Sequence, residues 1–196
     1  TLLGIELDES APYRAVVHCG ATGDQRHDRR EYRGEPTCAA ANFVGGIQGC
    51  AYGCLAFGDC ERSCPFDAIH VIDGLATVDY EKCTGCGACE RACPRHLITM
   101  APFKQERIPA IACSNQDPGK LVRAVCDVGC IGCGLCAKVG GGLFAVRDNL
   151  SRIDYETFEP ASDVSTAVSK CPRKIIRYFG RETVEEPTHP SVMQPK

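Results

Sequence analysis

The stretch Cys83-Thr84-Gly85-Cys86-Gly87-Ala88-Cys89-Glu90-Arg91-Ala92-Cys93-Pro94 sets the architecture of this chain. Its spacing is C-x₂-C-x₂-C-x₃-C-P, the run that ligates [4Fe–4S] clusters. Three thiolates on one tight loop take three corners of a cubane. The fourth, Cys93, points away and ligates a neighbouring cluster. Gly85 and Gly87 let the backbone approach the sulfides, where amide N–H groups face a negative charge. Pro94 ends the loop.

A second run must supply the exchanged ligands. Cys60-Glu61-Arg62-Ser63-Cys64-Pro65 is its latter half. Cys64 is expected to complete the cluster of Cys83, Cys86 and Cys89. Cys93 then joins Cys54, Cys60 and one further cysteine. Phe57 sits where a central cysteine would be expected, so that ligand is Cys50 or Cys38, and spacing favours Cys50.

The pattern recurs. Cys50-Ala51-Tyr52-Gly53-Cys54 with Cys60 is echoed by Cys126-Asp127-Val128-Gly129-Cys130 with Cys136. Val17-His18-Cys19 is echoed by Ile111-Ala112-Cys113, Val78-Asp79-Tyr80-Glu81 by Ile153-Asp154-Tyr155-Glu156, and Cys93-Pro94-Arg95 by Cys171-Pro172-Arg173. Order and distance match along the whole unit, which is how an internal repeat is recognised. The second copy is incomplete. Cys130, Cys133 and Cys136 form a full three-ligand loop, but Gly140 and Gly141 replace the following Cys-Pro, and Phe158 stands where the first copy has Cys83. Every missing ligand belongs to one cluster, whereas Cys171 belongs to the other. One cluster is therefore expected here, on Cys130, Cys133, Cys136 and Cys171.

Four cysteines remain. Cys19, Cys38, Cys113 and Cys126 could form a fourth cluster where the modules meet. A symmetric variant places Cys19, Cys50, Cys113 and Cys126 together and moves Cys38 to the first cluster. Buried structural thiols are the plainer alternative for these four.

The predicted fold class is α+β: two ferredoxin-like modules of short hairpins and short helices, the second degenerate. The first spans 1–107 with a two-cluster core at about 50–100, the second 108–180, and a polar tail 181–196. Asp73-Gly74 and Asp148-Asn149 are hairpin turns, between Ile69–Ile72 and Ala76–Val78, and between Leu143–Val146 and Leu150–Ile153. Thr37 reads as the cap of a helix ending at Gly45-Gly46. Asp117-Pro118 reads as cap and first-turn proline of another.

Composition sets the remaining bounds. The chain has 196 residues, 16 of them cysteine, and a net charge of −3. That charge and the lack of a long basic block argue against nucleic acid. No run of about 18 apolar residues is present. Zinc prefers separated C-x₂-C pairs, and three cysteines at i, i+3 and i+6 cannot all satisfy disulfide geometry. No nucleophile–base pair, P-loop or dinucleotide fingerprint is found, so the chain is not expected to be catalytic alone. The charged run Arg26-His27-Asp28-Arg29-Arg30-Glu31 with Arg33 reads as a solvated face, or as a docking site for an acidic carrier. His18, His70 and His96 read as packing residues.

The stretch Val16–Val139 resembles the cytoplasmic part of the B subunit of Rnf complexes, the ion-translocating ferredoxin:NAD oxidoreductases. The resemblance is carried by Val17-His18-Cys19-Gly20, Cys38-Ala39-Ala40-Ala41-Asn42, Cys50-Ala51-Tyr52-Gly53-Cys54, Gly58-Asp59-Cys60, Cys64-Pro65-Phe66-Asp67-Ala68-Ile69, the Cys83–Pro94 run and Gly129–Cys136. It implies an iron–sulfur subunit relaying single electrons between ferredoxin and a flavin- or NAD-linked or membrane partner. The alternative is a wiring subunit of a soluble flavin-based, electron-bifurcating oxidoreductase. The implied partners are other subunits of such a complex, with ferredoxin or a flavoprotein. The implied location is cytoplasmic, peripheral to the inner membrane, with membrane contact only through partners or through an N-terminal helix that the family has and this sequence lacks.

Overall fold

The computed structural model describes residues 11–181. The tail expected beyond residue 181 lies outside them. Strand β1 (Tyr13–Val17) pairs antiparallel with β4 (Ile98–Pro102), from Tyr13↔Pro102 to Val17↔Ile98. Between them in sequence lies the hairpin of β2 (Ile69–Ile72) and β3 (Leu75–Val78). The same nesting follows again. Strand β5 (Arg107–Ile111) pairs with β8 (Ile176–Gly180), and β6 (Phe144–Arg147) pairs with β7 (Leu150–Ile153) in between. Both expected turns form: Asp73 and Gly74 have φ 49° and 75°, Asp148 and Asn149 φ 50° and 58°. Left-handed geometry at both central residues matches the twist of the flanking strands.

Among the described residues six helices connect these strands: α1 (Cys38–Val44), α2 (Asp59–Arg62), α3 (Ala88–Ala92), α4 (Gly119–Val125), α5 (Leu135–Val139) and α6 (Ser165–Lys170). None exceeds 7 residues, too short to persist on its own hydrogen bonds. Thr37 caps α1 as expected, its Oγ1 accepting from the Ala40 amide at 3.1 Å. The Asp59 carboxylate accepts the next orphan amides, from Cys38 and Ala39, at 2.8 and 3.0 Å, and so ties α1 to α2. Asp117 does not cap α4. Pro118 occupies that position without a side-chain bond, and the Asp117 amide donates to Asn115 Oδ1 at 2.7 Å.

Two tyrosines brace the strands from equivalent places. Tyr80 Oη donates to the Ala15 carbonyl at 3.0 Å and Tyr155 Oη to the Pro109 carbonyl at 2.9 Å. Burial pushes both phenols well above their ordinary pKa. Phe158, at 1% exposure, packs edge-on to Tyr155 within the core formed by Phe103, Ile108, Phe144 and Leu150. A Cβ added at Gly140 would strike the Phe144 ring. The two positions that lack cysteine in the second half are thus joined to apolar packing. Phe158→Ala is expected to cost about 3–5 kcal/mol. Thermal unfolding of the loaded protein would show it as a lower midpoint with no change in iron content.

Candidate iron–sulfur centres

Each ligand loop with a helical cysteine is built alike. A left-handed glycine (Gly58, φ 78°; Gly87, φ 72°; Gly134, φ 72°) turns the chain into a short helix. That helix carries an inward cysteine: Cys60, Cys89 or Cys136, all buried. Positive φ suits glycine because it lacks a Cβ. Gly85 meets a further constraint, since a Cβ there would collide with the Tyr13 carbonyl.

The structure collects the 16 cysteines around four cavities, four to each. Cys64, Cys83, Cys86 and Cys89 surround one of about 310 Å³. Cys38, Cys54, Cys60 and Cys93 surround one of about 370 Å³. Cys19, Cys50, Cys113 and Cys126 surround one of about 360 Å³ where the two nested strand sets meet. Cys130, Cys133, Cys136 and Cys171 surround one of about 350 Å³. Cys38 and Cys50 have exchanged places relative to the preferred reading of the spacing. Cys38 faces Cys54, Cys60 and Cys93, whereas Cys50 faces Cys19, Cys113 and Cys126. The physical reason is α1: its Thr37 cap and the Asp59 clamp swing Cys38 onto the neighbouring α2. This is the grouping of the symmetric variant that the repeat offered, and linear spacing alone did not favour it.

The donor sets fit cubane clusters. All 16 thiols are unpaired, and several sulfurs already accept N–H groups. The Ala68 amide donates to Cys64 Sγ and the Leu97 amide to Cys93 Sγ, both at 3.4 Å. Cys113 Sγ accepts from the Asn115 and Cys130 amides at 3.4 and 3.3 Å. Such bonds are how a protein stabilises an anionic cluster. Among the described residues no group of three or more His, Cys, Asp or Glu converges tightly enough for a single metal ion. Burial pushes Cys60 and Cys113 up to about 12 and Cys89 up to about 11. A ligand must be a thiolate, so metal has to displace these protons on loading.

Four features escaped the sequence reading. The buried Asn115 side chain (2% exposed) donates Nδ2–H to Cys50 Sγ at 3.3 Å. Ser151 Oγ lies 3.1 Å from Cys136 Sγ. Arg95 Nη1 donates to the Cys50 and Gly53 carbonyls at 3.1 and 2.7 Å. Arg173 donates to the Gly129 and Cys126 carbonyls at 3.2 and 2.6 Å. The paired arginines were detectable, because each follows a Cys-Pro pair, Cys93-Pro94 and Cys171-Pro172. Asn115 and Ser151 carry no comparable sequence signal.

One expectation shifts. Arg26 is 4% exposed, so it is not part of a solvated face. Its neighbour His27 pairs with Asp127 at 3.1 Å. His18 does act in packing: Nδ1 donates to the Ile111 carbonyl at 2.8 Å, leaving Nε2 to accept from Thr99 Oγ1 at 2.8 Å. Burial holds its pKa below the ordinary value, consistent with a neutral ring. His70 lies 3.2 Å from Glu61.

Residues 76–99 match the family model described as a 4Fe-4S binding domain. The chain is 40% identical over 178 residues to the B subunit of the Na(+)-translocating ferredoxin:NAD(+) oxidoreductase complex of Acetobacterium woodii, covering 89% of this chain and 52% of that protein. It is 36% identical to the B subunit of the ion-translocating oxidoreductase complex of Methanosarcina acetivorans, covering 89% and 66%. It is 38% identical to the B subunit of the proton-translocating ferredoxin:NAD(+) oxidoreductase complex of Clostridium ljungdahlii, covering 90% and 62%. The chain thus spans about half to two thirds of the length of these curated relatives. Along about nine-tenths of its own length the chain is similar to the B subunits of ion-translocating oxidoreductase complexes, and its residues 76–99 match a 4Fe-4S binding domain.

Proposed function

We propose that the chain is an iron–sulfur electron-transfer subunit holding four [4Fe–4S] clusters, one in each four-cysteine cavity. It relays single electrons between ferredoxin and a flavin- or NAD-linked or membrane partner within an oxidoreductase complex. When bound, a [4Fe–4S] cluster accepts and releases one electron at a time. The residues of this chain hold the clusters, order them and exclude water.

The observation that carries this reading is the order of the ligands along the chain. Cys60 and Cys64 lie on adjacent cavities, as do Cys93 and Cys89, Cys54 and Cys50, and Cys126 and Cys130. These shared loops string the cavities in one line: Cys83 site, Cys38 site, Cys19 site, Cys130 site. Only the end sites have an exposed cysteine, Cys86 at one and Cys133 at the other. Exposed ends and a buried middle suit a wire that meets partners at both ends. The nested strands, the two tyrosine braces and the two arginine clamps support a reading as tandem ferredoxin-like units, 1–107 and 108–180, with the second reduced to one internal cluster. Membrane contact through partner subunits belongs to the same reading. Among the described residues no helix is long and apolar enough to cross a membrane.

Anaerobically purified protein is expected to be brown, with about sixteen iron atoms and as many sulfides per chain. It should be reduced rapidly by a reduced ferredoxin in stopped-flow mixing. A colourless zinc-loaded protein would end this reading.

A further inference from the structure

We propose that Arg26 is a buried, fixed counter-charge of the two interior cluster sites, raising their reduction potentials above what burial alone would impose. The inference rests on the iron–sulfur reading. Arg26 is 4% exposed. Its Nε donates to the Thr22 carbonyl at 3.2 Å, its Nη1 to the Cys54 carbonyl and its Nη2 to the Gly74 carbonyl, while Gln48 Oε1 lies 3.5 Å from Nη1. All four acceptors are neutral, and none is a carboxylate. A buried charge without an opposite charge is costly. Arg29 adds a second cation nearby: it is pushed below its ordinary pKa first by burial and then by the Arg26 charge.

Its position says what balances it. The Arg26 backbone forms an antiparallel bridge with Cys126, and the residue lines the Cys19–Cys50–Cys113–Cys126 cavity. Its side chain reaches the carbonyl of Cys54, which belongs to the next cavity. Arg26 therefore stands between the two interior sites. A cluster held by four thiolates is an anion in both oxidation states and becomes more negative on reduction. Away from water, a nearby cation favours the more negative state strongly. Burial of the two middle sites would otherwise lower their potentials and place a barrier in mid-wire. Arg95 and Arg173 occur once per half and clamp equivalent carbonyls. Arg26 is different: the same distance beyond Cys113 that separates it from Cys19 falls on Lys120, which is exposed.

The test is a potentiometric titration of the full loaded chain followed by EPR, with signals assigned through single cysteine variants. Arg26→Gln keeps a donor and removes the charge. It is expected to lower the two interior potentials by at least tenfold in the reduction equilibrium, about 59 mV for one electron. The two end sites should be unmoved, and Arg26→Lys should stay near the parent. Gln48→Glu supplies the missing carboxylate while leaving the guanidinium in place, and should lower the same two potentials. Fully loaded Arg26→Gln with unchanged potentials overturns the proposal. If that variant fails to hold iron, unchanged potentials in loaded Gln48→Glu overturn it instead. Failure of the iron–sulfur reading is seen separately, as a parent chain without clusters.

Discussion

Cys38→Ala is expected to remove the cluster of Cys54, Cys60 and Cys93, and Cys50→Ala the cluster of Cys19, Cys113 and Cys126. Each variant should lose about four of sixteen iron atoms, following the four-iron cluster type. The two losses must differ spectroscopically, because the two cavities share no cysteine. Cys93→Ala should reproduce the Cys38 spectrum and Cys126→Ala the Cys50 spectrum. In both, the end sites of Cys83 and Cys130 should still be reducible, while electron transfer between the two ends stops. Identical spectra from Cys38→Ala and Cys50→Ala would mean that the two cysteines serve one cluster, contrary to the cavity geometry.

Cys171→Ala should act at a distance in sequence but not in space. Cys171 lies 35 residues beyond Cys136 in the numbering, yet it lines the same cavity as Cys130, Cys133 and Cys136. The variant is expected to lose that cluster, again about a quarter of the iron, and to keep the other three. The fold should largely survive, because the core beside it, although it includes Cys130 and Cys136, is carried mainly by apolar side chains such as Phe158, Phe144, Ile108 and Leu150. Retention of all the iron, with an unchanged EPR spectrum, would remove Cys171 from the ligand set and break the ordering of the wire at its exposed Cys133 end.

The cysteine loops were legible because their chemistry is local. A thiolate triplet, a left-handed glycine and a short helix lie close together along the chain, and each constraint acts through the backbone that joins them. The hairpins at Asp73-Gly74 and Asp148-Asn149 were legible for the same reason: positive φ at two adjacent positions narrows the turn type. The echo of Tyr80 in Tyr155, and of Arg95 in Arg173, was visible as repetition. Their roles in bracing strands and clamping carbonyls were not.

Less local features were misplaced or missed. Arg26 sits in a charged run that composition marks as solvent-facing, but a β-bridge to Cys126, 100 residues away, draws it inward. Asp117 has the composition of a cap, but its amide donates to Asn115 and the helix starts after Pro118. Asn115 and Ser151 became visible only when distant segments laid them against sulfur.

Residue order alone pointed to iron–sulfur ligation, which the match to a 4Fe-4S binding domain supports, and it suggested two related sets of ligand loops with one set short of a cluster's worth of cysteines. Spacing suffices for that, because most corners of a cubane are met by residues close along the chain. The assignment of Cys38 rather than Cys50 to the cavity of Cys54, Cys60 and Cys93 came from the folded chain, as did the buried arginine between the two middle sites. Both depend on which segments fold back on one another: the repeat offered the Cys38 grouping only as a variant, and residue spacing does not show which buried segments meet.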